Sequence, residues 1–165
     1  MRRFLDALYD GAAVLAALCM IGTLLMVLGS VIDRFHRLPL RGMDAYAGYF
    51  MAAAAFLSLA HTLKRGEHIR VTLVLNALGA RGRRALELWS LSVAVGLSGL
   101  FAFYSARLAW QSRTFHDIST GIDATPLWIP QLAMVAGTLL LFVAFVDEWW
   151  LALRGRVADV REVGA

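Results

Sequence analysis

The sequence contains little cysteine, little proline and few charged residues. Of its 165 residues, one is cysteine, three are proline and 17% are Asp, Glu, Lys or Arg. The single cysteine, Cys19, cannot form an intrachain disulfide, which excludes a disulfide scaffold, and a thiol oxidase needs paired cysteines. Soluble domains average about 25% charged and about 45–50% apolar residues. The 59% of hydrophobic residues here therefore excludes an ordinary soluble enzyme and a disordered chain.

The charged residues are absent from four long stretches of the chain. Runs without Asp, Glu, Lys or Arg cover residues 11–32, 45–63, 88–106 and 124–146. A helix needs roughly 20 apolar residues to span a bilayer, whereas the strands of a membrane barrel need only about 9–11 and alternate in polarity. We therefore expect an all-α integral membrane protein with a single domain over residues 1–165. Its transmembrane helices are predicted at about 11–32, 45–63, 86–108 and 127–150.

The distribution of basic residues predicts the orientation of these helices. With the N-terminus inside, the inner segments hold eleven Lys and Arg residues and the outer loops hold five. Cytoplasmic loops collect Lys and Arg, so both termini are predicted to be cytoplasmic. This bias also explains the net charge of +4 without a nucleic-acid partner. The first run is too long for a signal peptide, whose apolar region is roughly 7–15 residues, and is predicted to be a retained anchor.

The segment between the second and third runs contains a shorter apolar stretch. Residues 69–78 are mostly apolar, too short to span a membrane, and lie between Gly66 and Gly79. Their alternation from Ile69 onward also fits a strand, but an isolated strand leaves its edges unpaired at the membrane. We therefore predict a short interfacial helix between the second and third transmembrane helices.

A charged cluster precedes this stretch, and it permits two interpretations. One is charge that fixes topology and contacts anionic lipid headgroups. The other is a docking site for a partner subunit, because one acidic side chain among basic ones suggests a fixed ion pair. The cluster consists of Lys64, Arg65, Glu67, His68 and Arg70.

Residues able to support catalysis or bind a cofactor are scarce in the predicted spans. His61 is the one histidine in a neutral run, and it lies near the inner end of that run. Haem held in a bundle needs facing axial ligands such as histidine, and the other three histidines lie in predicted loops. No zinc-ligand spacing appears, and the Gly79–Gly82 stretch lacks the ending of a phosphate-binding loop. The sequence therefore predicts no enzyme, no cofactor and no metal site.

Two segments carry a resemblance to a known family. One is Lys-Arg-Gly-Glu-His-Ile-Arg-Val at residues 64–71, and the other is Thr-Pro-Leu-Trp-Ile-Pro-Gln at residues 125–131, followed by Gly137 and a Leu-rich half-helix. With four helices at this spacing, the chain resembles the small membrane subunit of tripartite ATP-independent periplasmic (TRAP) transporters over about residues 5–155.

The resemblance implies a function. The small subunit of this family pairs with a large permease subunit in the bacterial inner membrane, and a periplasmic substrate-binding protein delivers the substrate. Uptake of organic acids is driven by sodium, and the small subunit acts as scaffold and anchor. Arg65, Glu67, His68 and Arg70 would then contact the partner or lipid. From their location, the outer loops around Arg34 to Arg41 and His116 to Asp123 are where the binding protein could dock, and Arg37 and Arg41 are the candidate residues.

A different class of function remains open at this point. A stand-alone four-helix membrane protein could be a small homo-oligomeric exporter or an electron carrier. An exporter usually needs a carboxylate within the membrane, and Asp147 and Glu148 are the nearest candidates. An electron carrier needs a chromophore, which an absorbance scan would reveal.

Overall fold

Four long helices make up most of the chain. The computed structural model describes residues 2–36, 42–64, 80–121 and 123–154. All four helices are long and apolar enough to cross a membrane. The described residues contain no strand beyond one isolated bridge between Ile118 and Pro126. The interfacial helix predicted over residues 69–78 lies outside the described residues. The helices are α1 (Arg2–His36), α2 (Met43–Lys64), α3 (Ala80–Thr114) and α4 (Trp128–Leu153).

Most helix ends extend beyond the neutral runs that locate them. Helix α1 begins at Arg2 rather than near residue 11, and α3 continues past Arg107 to Thr114. A helix satisfies its own backbone, so a charged side chain near the membrane surface does not terminate it. Helix α4 begins at Trp128, with Pro130 in its first turn, where a missing N–H is tolerated.

The helices pack in the order α1, α2, α4, α3. Helix α2 contacts both α1 and α4, and α4 also contacts α3. Helices α1 and α3 therefore flank the arrangement, and each is largely exposed along its length. The buried face of α3 consists of small side chains spaced three or four residues apart, which lets α4 approach closely. These residues are Ser98, Ala102, Ser105, Ala109 and Ser112.

Each of the three extensive contacts between the described helices places a phenylalanine against a glycine. A methyl group added to Gly22 of α1 would lie 3.2 Å from the Phe50 ring of α2. One added to Gly99 of α3 would lie 3.0 Å from the Phe142 ring of α4.

At the α2–α4 contact the approach involves backbone. A methyl group on Gly137 would lie 2.5 Å from the carbonyl carbon of Phe56 and 2.8 Å from its Cβ. Because backbone cannot rotate away as a side chain can, glycine is required at position 137 for this spacing of α2 and α4.

Candidate functional site

A polar cluster joins the start of α1 to the end of α2. His61 Nδ1 lies 3.6 Å from Asp10 Oδ1, and the His61 side chain is 19% exposed. Lys64 forms an ion pair with Asp6, and its ammonium lies 4.6 Å from the centre of the Tyr9 ring. These contacts fix the first turns of α1 against the last turn of α2.

Tyr9 extends this cluster to α4. Its side chain is fully buried and packs with Ala60 of α2 and Ala144 of α4, beside Leu63 and Leu140. Its hydroxyl has no hydrogen-bond partner among the described residues. Three helices therefore meet around one aromatic ring close to the end of the bundle that holds Lys64.

A second polar cluster lies at the opposite end of the bundle. The Tyr49 hydroxyl donates to Asp123 Oδ2 at 3.1 Å, and the Ser119 hydroxyl donates to Asp123 Oδ1 at 3.0 Å. The Thr125 and Tyr46 hydroxyls are hydrogen-bonded to each other at 3.2 Å. Hydrogen bonding by Thr125, and then by Ser119 and Tyr49, lowers the pKa of Asp123 despite the opposing effect of burial. The cluster ties the loop before α4 to the first turns of α2.

Gly42 makes close contact with this loop possible. Its φ is 87°, in the left-handed region, and an added Cβ would lie 2.9 Å from Cβ of Asp123. The Gly42 carbonyl accepts hydrogen bonds from the amides of Ala45 and Tyr46, which begin α2. A side chain at position 42 would strain the backbone and separate α2 from Asp123.

An open cleft of about 540 Å³ lies near the second cluster, between the end of α3 and the start of α4. The guanidinium carbon of Arg113 lies 5.7 Å from the centre of the Trp128 ring. The lining of the cleft combines cationic or polar groups with two indole rings, and this combination suits an anionic group at a membrane surface. The lining residues are Trp110, Arg113, Thr114, His116 and Trp128.

The site residues predicted from sequence are described only in part. Lys64 ends α2 and pairs with Asp6, a partner that the sequence pattern did not indicate. The other predicted contact residues, Arg65, Glu67, His68, Arg70, Arg37 and Arg41, lie outside the described residues. Within the part of the chain that is described, no group of three or more His, Cys, Asp or Glu side chains is placed to hold a metal ion.

Both polar clusters were missed from sequence, and a partial signal existed for each. Asp10 marks the start of the first neutral run, and His61 lies near the end of the second, so antiparallel neighbours would bring them together. Tyr46 and Tyr49 lie at the outer end of the second run, where interfacial aromatic side chains are common. Their partner loop lies 74 residues after Tyr49 at Asp123, which no local pattern reveals.

The four described helices are long and apolar enough to define a multi-pass membrane protein. Polar contacts join them to one another or to loops at both ends of the bundle. The sequence model of the family described as "Tripartite ATP-independent periplasmic transporters, DctQ component" matches residues 23–155. The chain therefore belongs to the DctQ family, the small membrane component of TRAP transporters. No curated protein matches the chain.

Family membership establishes the general role of the chain. The DctQ family is a transporter component and not an enzyme family, so the chain is a component of a TRAP transporter in a bacterial membrane. The family works with a large permease and a substrate-binding protein. The matched range includes both segments, 64–71 and 125–131, that carry the resemblance seen in the sequence.

Proposed function

We propose that the chain is the scaffold and anchor subunit of a sodium-driven transporter that imports organic acids across the bacterial inner membrane. A large permease subunit carries the substrate, and a periplasmic binding protein delivers it. The observation that supports this role most directly is the helix order α1, α2, α4, α3. It leaves α1 and α3 with long apolar faces that the described part of the chain does not cover, which suits a subunit packed against a larger membrane protein.

The proposed orientation places both termini in the cytoplasm. The Lys and Arg bias of the loops supports it. The start of α3 and the end of α4 lie at the same end of the bundle, because Arg84 donates a hydrogen bond to the Leu153 carbonyl at 3.4 Å. Two antiparallel crossings by α3 and α4 agree with this orientation. The cluster around Lys64 is then cytoplasmic, and the cluster around Asp123 is periplasmic.

The cytoplasmic linker is the proposed contact with the permease or with lipid headgroups. Lys64, Arg65, Glu67, His68 and Arg70 provide the charges for it. The apolar stretch 69–78 would lie along the membrane surface as a short helix. This placement rests on the sequence of the linker and on the position of Lys64 at the end of α2.

The periplasmic loop between α1 and α2 is the proposed docking region for the binding protein. Arg37 and Arg41 supply two positive charges there, and charges at the edge of an interface mainly raise the rate of association. In the sequence this segment precedes Gly42, whose carbonyl accepts hydrogen bonds from the first amides of α2.

Co-purification tests the proposed role. The chain carries a C-terminal affinity tag, native membranes are extracted in mild detergent, and the bound proteins are identified by mass spectrometry. We expect a large polytopic permease in near-equal amount. Recovery of the tagged chain alone, or with a chromophore visible in an absorbance scan, would reject the scaffold role in favour of an exporter or electron carrier.

A further inference from the structure

The cleft between α3 and α4 lies at the height of one membrane surface. Trp89 and Trp110 are exposed on α3, at 66% and 72%, and are separated by 21 residues in the sequence. At 1.5 Å per residue this separation is about 31 Å, close to the hydrocarbon thickness of about 30 Å. Exposed tryptophans concentrate at the two interfaces. Trp110, which lines the cleft, therefore lies in the headgroup region of one leaflet.

The cleft presents hydrogen-bond donors in a form suited to a phosphate. The Arg113 guanidinium packs over the face of Trp128, which orients it while its N–H groups at the edge stay available. His116 lines the same cleft from the loop that follows α3. Arginine binds phosphate oxygens through two parallel N–H bonds, and these are among the stronger hydrogen bonds in proteins.

A second arginine lies one turn inside Trp110, about 120° around the helix from Arg113. Arg107 is exposed and precedes Trp110 by three residues and Thr114 by seven, so the three share one side of the helix. Among the described residues, no ion pair or hydrogen bond engages the Arg107 guanidinium. Arg107 lies one helical turn closer to the membrane centre than Trp110. Its charge is best accommodated there when the long side chain extends outward to an anionic headgroup.

The surface of α3 below Trp110 is apolar, and the described residues leave it uncovered. Phe103 is 63% exposed and precedes Trp110 by seven residues, so it lies directly below Trp110, while Leu100 and Tyr104, each 57% exposed, continue the apolar surface beside Arg107. An acyl chain that descends from a phosphate in the cleft would lie along this surface. An acidic side chain of a periplasmic protein would use the cations and leave the apolar surface unused, so a lipid satisfies more of the observed features.

We infer that this cleft is a phospholipid site in the periplasmic leaflet, with the lipid phosphate held by Arg113 and His116, an acyl chain along α3, and Arg107 contributing its charge from one turn below the cleft. The leaflet follows from the proposed orientation, whereas the site itself follows from the height, charge and apolar surface of the cleft. The site is separate from the cytoplasmic cluster around Lys64 and sits at the opposite end of the bundle.

Native mass spectrometry of the purified transporter complex, titrated with phosphatidylglycerol in dodecyl maltoside micelles, tests the site. We expect Arg113→Gln to weaken lipid retention about tenfold, because the loss of one charge-assisted hydrogen bond lowers an affinity by about that factor. Arg107→Gln combined with Arg113→Gln should weaken it further. Arg113→Lys, which keeps the charge and loses the planar fork, should fall between wild type and Arg113→Gln.

Arg84→Gln is the matched control, because Arg84 is also an exposed cation of α3 but lies near its other end. It should retain lipid as the wild type does. Equal retention by all variants would overturn the proposal. Unchanged lipid retention together with weaker uptake from the binding protein would also overturn it and assign the cleft to an acidic protein partner. Thermal unfolding of each variant identifies any loss of lipid retention that comes from misfolding. If Arg113→Gln misfolds, the comparison of Arg113→Lys with the wild type tests the site.

Discussion

The close approach of α2 to α4 at Gly137 gives a sharp test of the packing, because the neighbouring atoms are backbone. Replacing Gly137 with alanine would place a methyl group 2.5 Å from the Phe56 carbonyl carbon, where ordinary contacts begin at 3.4 Å. Helices α2 and α4 would have to separate by about 1 Å, because the obstacle is backbone. Overpacking of this kind costs about 1–3 kcal/mol, and a rigid obstacle places the cost near the upper end.

Gly96→Ala is the matched control for this substitution. Gly96 lies within α3 on an exposed surface, and an added Cβ there meets nothing within 4 Å. Both substitutions gain the same helix propensity, up to about 1 kcal/mol, so the difference between the two variants isolates the collision.

Thermal unfolding in detergent, followed by the fluorescence of the five tryptophans, measures this difference. A difference of about 3 kcal/mol corresponds to a melting temperature about 6–12 °C lower for Gly137→Ala than for Gly96→Ala. Gly137→Leu should lower it further or prevent folding. Equal melting temperatures for the two alanine variants would refute the close contact of α2 with α4 and, with it, the helix order.

Four further tests address the helix ends and the two charged segments. Hydrogen bonds lower the pKa of Asp123, so its stabilisation is complete above the ordinary carboxyl pKa of about 4 and declines as the pH falls toward the lowered value. The melting curves of wild type and Asp123→Asn should converge in acid, and a constant difference would contradict this. Lys64→Gln should lower the melting temperature by about 2–4 °C, for a loss of about 1 kcal/mol, and no change would remove the ion pair from consideration. Arg37→Glu with Arg41→Glu should reduce uptake severalfold in a transport assay while the membrane complex stays intact, and undiminished uptake would count against docking there. Glu67→Lys should reduce the permease recovered with the tagged chain, whereas equal recovery would reject the linker contact.

The helices themselves could be predicted from the sequence because membrane burial leaves a strong signal. Charge is excluded from the bilayer core, so the neutral runs marked all four helices. The ends were less predictable, since Arg107 and Arg113 lie within α3 and do not stop it. A charged residue marks where the hydrocarbon ends, and a helix continues beyond that level for as long as its backbone bonds are favourable.

The arrangement of the helices could not be predicted. Helix α4 lies between α2 and α3 because Gly137 admits the backbone of α2 and small side chains of α3 admit α4. Glycines occur in several of the neutral runs, and composition does not say which of them faces which helix. The clusters around Lys64 and Asp123 follow from this arrangement, which explains why neither was foreseen.

The pairing of glycine with phenylalanine has a mechanical consequence. A ring seated over Gly22 or Gly99 would meet a side chain if either helix slid by a turn, about 5.4 Å along its axis. A slide of one turn of a helix past its neighbour is therefore opposed at each extensive contact between the described helices, and the four helices resist such shear as one body. A neighbouring protein that moves through the membrane would slide against a fixed surface, without dragging these helices along with it.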